Sequence, residues 1–526
     1  MKKRLFISIC GLLGSGMEFG MNYIKEKTPP VREDRLKACN AFGGSCCELS
    51  RTGKKGCLNK TKRTFAQTQG CQLNLSMSIL NTIRDSVVII HGPIGCGGAG
   101  LSFGALTTQY HKLRDSNAKG YIWINTNLDE GDVINGGEQK LKEAIIFADN
   151  EFRPSSIIIV NSCVPALIGD DIDGVVAGLQ QQTAAKLVPV HCEGFKTKIM
   201  ASAYDSAYHG ILRNLVDKPE ENGYLNGYLV EDELEVLKEK YRRSRNVNVL
   251  NVSSMSRADE LELERLLKAL ELNVRFLPCF AHPDDFEPAT EAALNISICA
   301  THDDYFVKHL KEKYNIPYIL HTIPIGIRNT GKWLLDIAEF FGETDRAKGL
   351  IEAETKALNK ALEPFRNQLK GKRVLLSGGE IRILTTAELF QDIGFEVLGV
   401  RGYHYDEFAD PLIDGLPGKE NILFNVATGQ PFEQANLLEE LKPDLYVGHA
   451  GINGWAAKQG IPVFPIFVQS LNYMGYSGMY ELTKRVTKVL KNTQFSKNLK
   501  NNIKLPYKAE WYGKNPFSYI DSSLAL

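Results

Sequence analysis

Residues 86–98 read SVVIIHGPIGCGG, an apolar run that ends in a glycine-rich turn containing Cys96. Residues 156–171 repeat this arrangement as SIIIVNSCVPALIGDD, with Cys163 in the turn. Short β-branched runs that are apolar at nearly every position are typical of strands buried on both faces, as in parallel sheets. A helical pattern follows each turn, so both stretches predict strand–turn–helix units of an α/β fold.

Runs of the same kind recur along the chain and alternate with helical patterns. They lie at 121–125, 187–191, 247–252, 295–299, 317–320, 373–376, 396–400, 444–447 and 462–467. This alternation predicts doubly wound, Rossmann-like parallel sheets. The charged helical stretches 231–244 and 345–370 each lead into a new strand and predict joints. We therefore expect three α/β domains, at 1–245, 246–370 and 371–490, and a C-terminal tail at 491–526.

Composition excludes several classes of partner. The 526 residues contain 62 Lys and Arg and 62 Asp and Glu, so the formal net charge is zero and nucleic acid is not expected as a partner. No apolar run reaches the roughly 18–20 residues of a membrane span. Residues 1–16 imitate a short signal peptide, but the charged segment 23–35 favours an overlong start of a cytoplasmic protein.

The cysteines are unevenly placed, because all 11 precede residue 300. An odd number in a long chain argues against a secreted disulfide framework, and the asymmetry indicates a set of ligands. Cys71 opens a helical pattern, while Cys96 and Cys163 follow predicted strands, where α/β sheets bind ligands. Their wide separation excludes a zinc ribbon and a ferredoxin-type run. Either each is a buried structural residue, or the three hold one large cluster that a second chain completes.

The motifs GCQ (70–72), GPIGCG (92–97) and CVPALIGDDI (163–172) resemble the α-type chain of the nitrogenase component 1 family. The resemblance runs from about residue 35 to about residue 490. In that family, three such cysteines hold half of the electron-relaying P-cluster. The resemblance implies that Cys71, Cys96 and Cys163 bind a P-cluster-like [8Fe-7S] centre shared with a β-type subunit.

A second cluster site is implied by the same resemblance. Cys299 matches the cysteine that holds one end of the active-site cofactor, here FeMo-co-like or all-iron. The segments HCEGF (191–195), IPIG (323–326), SGG (377–379) and QSLNY (469–473) match family segments around the cofactor. The cofactor-binding residues implied are Cys299, Gln469, Gly326, Arg328, Gly378 and Gly379. The expected fold is thus three doubly wound domains around a metallocluster pocket.

Several positions depart from the nitrogenase pattern. Gln469 stands where nitrogenase has a histidine ligand, and an amide is a weaker ligand for a transition metal than an imidazole. Met200 and Tyr204 replace a glutamine and a histidine, and Gly104 replaces an arginine. Arg382 preserves a second arginine if a one-residue gap is allowed. These changes weaken the case for dinitrogen reduction.

Residues 191–211 instead resemble nitrogenase-like reductases outside the nitrogen-fixing groups, with methylthio-alkane reductase as the nearest analogy. Candidate catalytic residues are Tyr204, His209, Arg382 and Gln469. For Tyr204 and His209 the alternative is a hydrogen-bonded structural pair on one helix face. The missing histidine ligand could be replaced by one of the histidines in predicted loops: His282, His302, His321, His404 or His449.

Three further patterns have simpler interpretations. Residues 326–333 (GIRNTGKW) approach a P-loop, but Trp333 occupies the position of the hydroxyl that binds Mg²⁺. The acids at 170–173 complement a helix dipole rather than form a cation site. Cys39, Cys46, Cys47 and Cys57 form a local group, either structural or a small metal site.

We therefore predict the α-type subunit of a nitrogenase-like component 1 oxidoreductase in an α2β2 heterotetramer. A separate ATP-hydrolysing iron protein would donate the electrons, and the substrate would be a small molecule. Two alternatives stay open: a scaffold on which a nitrogenase cofactor is assembled, and a true dinitrogen-reducing α chain with a shifted histidine. A plain α/β protein with buried cysteines and no metal is the remaining rival.

Overall fold

Three parallel sheets carry the fold. The computed structural model describes residues 21–54, 61–67, 70–102, 104–216, 245–320, 323–449 and 453–521. In spatial order, the N-terminal sheet contains Ile122–Asn125, Ser86–His91, Ser156–Asn161 and Lys186–His191. The middle sheet contains Tyr318–Ile319, Leu294–Ser297, Asn246–Leu250 and Asn273–Leu277. The C-terminal sheet contains Val463–Pro465, Leu445–Gly448, Arg373–Gly378, Glu396–Gly402, Leu423–Val426 and Phe42–Ser45, the last strand antiparallel.

Helices connect these strands and cover the sheets. The α-helices of the described residues are Arg32–Arg35, Cys46–Lys54, Gln72–Leu80, Ile94–Leu101, Gly104–Arg114, Glu130–Asn135, Glu138–Phe152, Cys163–Ile168, Ile172–Leu179, Ser202–Ile211, Arg257–Lys268, Ala300–Tyr314, Ile327–Phe341, Thr344–Leu369, Glu380–Asp392, Asp410–Gly415, Pro431–Leu441, Gly454–Lys458, Gly475–Lys491 and Gln494–Asn502. Within this part of the chain, no helix combines the length and apolar character needed to cross a bilayer.

The predicted α/β class with parallel sheets is confirmed. Strands Ser86–His91 and Ser156–Asn161 have the predicted bounds and are buried at every position. Three strands of these sheets were not predicted: Asn273–Leu277, Leu423–Val426 and the edge strand Phe42–Ser45. The first is only partly buried, and the second contains Asn425, whose amide donates to Glu433, so neither reads as a purely apolar run.

The predicted domain boundaries stay predictions. They fall between the three sheets, although Phe42–Ser45 adds an edge strand to the C-terminal sheet. Residues 345–370 are helical as predicted, within Thr344–Leu369, whereas 231–244 lie outside the described residues. The tail returns to the N-terminal part of the chain, since Ile520–Asp521 pairs with Lys62–Arg63.

A buried charge network joins the sheets. The guanidinium of Arg32, which is fully buried, lies 2.8 Å from Asp205 and 3.1 Å from Asp406, and Arg35 lies 2.7 Å from Asp304. The partners come from helices Ser202–Ile211 and Ala300–Tyr314 and from the segment after Glu396–Gly402. Because each charge has opposite neighbours, the network links elements from all three sheets without an isolated buried ion.

Candidate metallocluster sites

Cys71, Cys96 and Cys163, here called the cysteine face, lie at one end of the N-terminal sheet. Cys71 caps helix Gln72–Leu80, and Cys163 begins helix Cys163–Ile168. Cys96 lies in the first turn of Ile94–Leu101. The strands that precede Cys96 and Cys163 are parallel neighbours, with His91 opposite Asn161, so their turns are adjacent.

The three thiols point toward a common region. A Cβ atom placed on Gly194 would lie 3.5 Å from Cys71 Sγ and 3.9 Å from Cys163 Sγ, so both sulfurs border this glycine. Burial raises the pKa of the Cys96 thiol, and the nearby thiols of Cys163 and Cys71 raise it further. Among the described residues, however, these three sulfurs do not all lie within 4.8 Å of one another, as ligands of a single ion would. As placed, the three sulfurs therefore do not form a site for a single ion.

Exposed apolar side chains accompany the cysteine face. Cys71 is exposed, and Cys96 and Cys163 are partly buried. The helices that carry Cys96 and Cys163 expose Ile94, Leu101 and Leu167, and the turn at Gly194 exposes Phe195. The cysteine face is therefore accompanied by exposed apolar side chains.

The second site is a cavity of about 210 Å³ lined by Cys299, here called the Cys299 cavity. Many of its lining residues follow a strand of the middle or C-terminal sheet. They are Ser253, Ser254, Cys299, Gly379, Arg382, Tyr403, His404 and His449. Leu75, Ser78 and Tyr204, from helices, and Met200, from the turn before helix Ser202–Ile211, complete the wall. The cavity thus lies where the carboxyl ends of parallel strands converge, the usual ligand site of α/β folds.

Cys299 is buried at the N-terminus of helix Ala300–Tyr314. Its backbone N–H donates to Ser297 Oγ at 3.1 Å, which fixes the turn. Burial raises the pKa of the Cys299 thiol to about 12, although nearby Arg382 opposes the rise. A thiolate is therefore favoured here only when a cation or metal offsets the burial.

Arg382 is the buried cation of the cavity. Its guanidinium donates to Ser254 Oγ at 2.8 Å and lies 2.7 Å from His302 Nε2. Among the described residues, no carboxylate forms an ion pair with it. A buried charge without a counterion is costly, so the cavity is suited to an anionic ligand.

Gln469 lies beside the cavity wall. Its amide nitrogen donates to the carbonyl oxygen of Ser253, while Oε1 is buried and has no hydrogen-bond partner in the described part of the chain. Tyr473, from the same segment, contacts Ser254 through its hydroxyl at 3.0 Å. The predicted amide therefore contacts a lining residue, Ser253, but is not itself among the residues that line the cavity.

A buried polar group next to the cavity consists of Glu380, His404 and Asp406. Their ligand atoms lie within 4.8 Å of one another, and His404 Nε2 is 3.1 Å from Glu380 Oε1. Burial lowers the pKa of His404, but the two carboxylates outweigh it and raise the pKa to about 9. A protonated imidazole therefore accounts for the cluster without a metal ion.

The structure brings together some predicted site residues and not others. Cys299, Tyr204, Arg382 and Gly379 line the cavity. Gly378 lies against Phe467, where a Cβ atom would approach the ring to 2.8 Å. Gly326 has a φ of 84° at the start of helix Ile327–Phe341 and does not line the cavity.

Two predicted residues are engaged elsewhere. Arg328 pairs with Glu388 at 2.6 Å with half of its side chain exposed, so it is not a cavity residue. His209 is buried with both ring nitrogens engaged, 2.9 Å from Tyr305 Oη and 3.0 Å from the carbonyl oxygen of Glu26. The hydrogen-bonded structural interpretation fits His209, whereas Tyr204 stacks on His302 inside the cavity.

The remaining cysteines and acids have local roles. Cys39 and Cys46 are packed in the core, burial raises both thiol pKa values to about 12, and Cys57 lies outside the described residues. Asp171 precedes helix Ile172–Leu179, which agrees with the helix-dipole interpretation. Of the five histidines predicted to lie in loops, His302 lies instead in helix Ala300–Tyr314. His302, His404 and His449 line the cavity, His282 caps a short 3₁₀ turn, and His321 lies outside the described residues.

Sequence reasoning missed Ser253, Ser254, Tyr403 and Glu380. All four follow strands of the middle or C-terminal sheet. The rule that ligands bind beyond the carboxyl ends of parallel strands could have found them, had polar residues been considered as well as cysteines.

Comparisons with known proteins agree with this geometry. Residues 71–491 match the family model "Nitrogenase component 1 type Oxidoreductase". The iron-molybdenum cofactor biosynthesis protein NifE of Rippkaea orientalis is 29% identical over 447 residues, covering 82% of this chain and 87% of that protein. The nitrogenase molybdenum-iron protein alpha chain of Methanothermobacter marburgensis is 26% identical, covering 88% of this chain and 92% of that protein.

A solved structure shows the same fold. The chain described as "Nitrogenase Cp1 at pH 5" has a TM-score of 0.68 and 22% identity, with 85% of this chain and 92% of that chain covered. Because the family model spans most of the sequence, including both groups of cysteines, the assignment rests on more than the fold. The chain belongs to the family of nitrogenase component 1 type oxidoreductases.

Proposed function

We propose that this chain is the α-type subunit of a nitrogenase-like reductase that transfers electrons to a small substrate in the Cys299 cavity. Electrons would arrive from an ATP-hydrolysing iron protein and pass through a P-cluster-like [8Fe-7S] centre at the cysteine face. A β-type subunit would complete that centre, in a cytoplasmic α2β2 complex. Members of the family generally bind iron–sulfur clusters.

The cysteine face supports the proposal of a P-cluster-like centre between two chains, here called the interface cluster. Three thiols border one region, are too widely spaced for a single ion, and lie among exposed apolar side chains. Thiolates are the usual protein ligands of iron–sulfur clusters. A second chain that covered this surface would both bury the apolar residues and supply the missing ligands.

The Cys299 cavity fits a large anionic iron–sulfur cofactor. Among the described residues, one buried thiol and one buried guanidinium without a carboxylate partner line it, and Gln469 contacts the lining residue Ser253. Cys299 and Gln469 would hold the group, and Arg382 would compensate its negative charge. When bound, such a cofactor supplies electrons for reduction of the substrate.

The observation that carries the proposal is a protonated histidine, His404, at the wall of the same cavity. Tyr204, Tyr403, His404 and His449 all line it. Reduction consumes protons as well as electrons, and a positioned histidine or tyrosine can provide them. His404, protonated against Glu380 and Asp406, is poised to hold a proton at the wall. A site that only stores a cofactor has no need of such groups.

A scaffold for cofactor assembly is the second candidate, and Gln469 favours it. Because its amide nitrogen is engaged by Ser253, only a neutral carbonyl oxygen remains for a metal. An amide oxygen binds transition metals more weakly than an imidazole does, which suits release of the cofactor. The similarity to NifE proteins points the same way.

The discriminating experiment uses the anaerobically purified complex with its β-type partner. The reductase proposal predicts hydrogen evolution that depends on MgATP and the iron protein, with the cofactor retained during incubation with cofactor-free nitrogenase. Transfer of the cofactor without turnover would contradict the reductase proposal and favour the scaffold. Acetylene reduction tests the dinitrogen-reducing alternative, and its absence would count against that alternative.

A further inference from the structure

Three histidines line the Cys299 cavity, and two of them are engaged by other side chains. Arg382 Nη2 lies 2.7 Å from His302 Nε2, and the other ring nitrogen of His302 is fully buried. His404 forms ion pairs with two carboxylates, at 3.1 Å and 3.5 Å. Neither imidazole is therefore open to a ligand in the cavity. The third histidine is His449.

His449 has no comparable partner. Neither of its ring nitrogens forms a hydrogen bond with the described residues, yet neither is fully shielded from solvent. Burial, together with the charge of Arg382, lowers the pKa of His449 to about 3. Because the ring lies deep in the protein, we attribute the accessible surface of its nitrogens to the cavity that the residue lines. The nitrogens thus have room for a bound atom beside them.

Aromatic neighbours hold the ring of His449. Its centroid lies 5.8 Å from that of Tyr403, with the two planes at 25°, and 5.5 Å from that of Phe467. Tyr403 also lines the cavity, and Phe467 is buried. These contacts restrain the imidazole and leave both of its nitrogens without a hydrogen bond. A ring held in this way is ready to bind a metal with little loss of side-chain freedom.

His449 and Cys299 reach the cavity from different sheets. His449 follows strand Leu445–Gly448 of the C-terminal sheet, and Cys299 follows strand Leu294–Ser297 of the middle sheet. The charge of Arg382 acts on the pKa of both side chains, which places them around one guanidinium. The cavity therefore offers a thiol and an imidazole, two protein ligands that iron accepts.

We propose that a ring nitrogen of His449 binds a metal atom of the cluster that Cys299 holds, so that each of the two sheets supplies one ligand. This inference rests on the proposed function only in requiring a cluster in the cavity. Metals bind the neutral form of imidazole, which is the form of His449 at neutral pH. Since an imidazole binds transition metals more strongly than an amide oxygen does, His449 would retain the cofactor more firmly than Gln469.

The test uses the anaerobically purified complex, labelled with ¹⁵N in both ring nitrogens of histidine. Pulsed EPR detects nitrogen bonded to the cavity cluster, whose signal is the one that Cys299→Ala loses. His449→Ala removes the proposed ligand. The matched control is His302→Gln, which removes another imidazole of the cavity and keeps an acceptor for Arg382. The loss of cavity iron to a chelator is measured in parallel.

The wild type and His302→Gln should show the ¹⁵N coupling of a directly bonded nitrogen, and His449→Ala should lack it. His449→Ala should also lose cavity iron at least about tenfold faster, because even changes outside the ligand shell commonly cost about 10- to 100-fold in metal affinity. If His449→Ala does not load the cofactor, ¹⁵N-imidazole present during assembly should restore both the loading and the coupling.

Three results would overturn this inference and leave the proposed function intact. They are a wild-type cavity cluster without ¹⁵N coupling, a coupling that persists in His449→Ala, and an unloaded His449→Ala complex that imidazole does not restore. A wild-type complex without any cavity-cluster signal would overturn both the inference and the proposed function.

Discussion

The cysteine face and the Cys299 cavity place the same chemical group in opposite settings. Cys71 is exposed and borders an apolar surface, whereas Cys299 is buried among charged and proton-exchanging side chains. The first setting is open at the surface of this chain, and the second is enclosed by its own elements. Under the proposed function, the surface site would exchange electrons with another protein, while the enclosed site would hold the substrate.

The largest expected effect on stability comes from disrupting the charge network that supports the cavity. Arg32 contacts Asp205, Asp406 and the carbonyl oxygen of Thr301, a cavity residue. Arg32→Met should lower the free energy of unfolding by about 3–5 kcal/mol, because buried carboxylates lose their partner. Thermal unfolding of the complex measures this as a fall in the apparent Tm.

Arg265→Met is the matched control, because its ion pairs with Glu262 and Glu354 involve a side chain that is nearly half exposed. Its loss should change stability by no more than about 1 kcal/mol. Equal effects of the two substitutions would contradict the supporting role of the Arg32 network.

The pH dependence of stability tests the ion pairs of His404 at the cavity wall. The pKa of His404 is raised to about 9, so its stabilising contribution is complete below the unfolded value of about 6.5 and is lost as pH rises through 9. The contribution is on the order of 3 kcal/mol. The stability difference between wild type and His404→Gln should therefore shrink between pH 6.5 and pH 9.5.

His191 provides the control for that measurement. Burial lowers its pKa, but Asp173 and Glu193 raise it to about 9 in a different part of the molecule. It contributes equally to the wild type and to His404→Gln, so the difference between them isolates His404. A difference that does not vary with pH would contradict the ion pair with Glu380 and Asp406.

Arg382→Gln tests the smaller effect of charge inside the cavity. Removing the buried guanidinium should lower cofactor affinity about 10- to 100-fold, as loss of groups around a metal site commonly does, and leave the interface cluster unchanged. Iron content and EPR intensity measure the occupancy. Arg328→Gln is the control, because Arg328 pairs with Glu388 away from the cavity. A similar loss in Arg328→Gln would contradict the placement of the cofactor.

The sequence predicted the strands that bury apolar residues on both faces, because their pattern is local. It missed Asn273–Leu277, which is only partly buried, and Leu423–Val426, whose Asn425 is hydrogen-bonded. Both depend on neighbours that are distant in sequence. The cysteines of both sites could be singled out because they stand at strand ends or helix starts within recognisable motifs.

The environment of the cavity could not be predicted in the same way. The contact between Arg382 and His302 joins residues 80 positions apart, and Gln469 meets Ser253 across 216 positions. Arg328 and Arg382 look alike in the sequence, since each follows a glycine-containing turn. Only the packing shows that Arg328 pairs with a carboxylate at the surface, whereas Arg382 is buried and has no carboxylate partner among the described residues.

The most direct test of the two-site account is iron content and EPR of anaerobically purified complexes carrying Cys163→Ala or Cys299→Ala, with Cys47→Ala as a partly buried cysteine control. We expect Cys299→Ala to lose the signal of the larger cofactor and activity while keeping the interface cluster. Cys163→Ala should lose the interface cluster, and Cys47→Ala should resemble the wild type. Retention of both signals in Cys299→Ala, or an iron-free wild-type complex, would contradict the account.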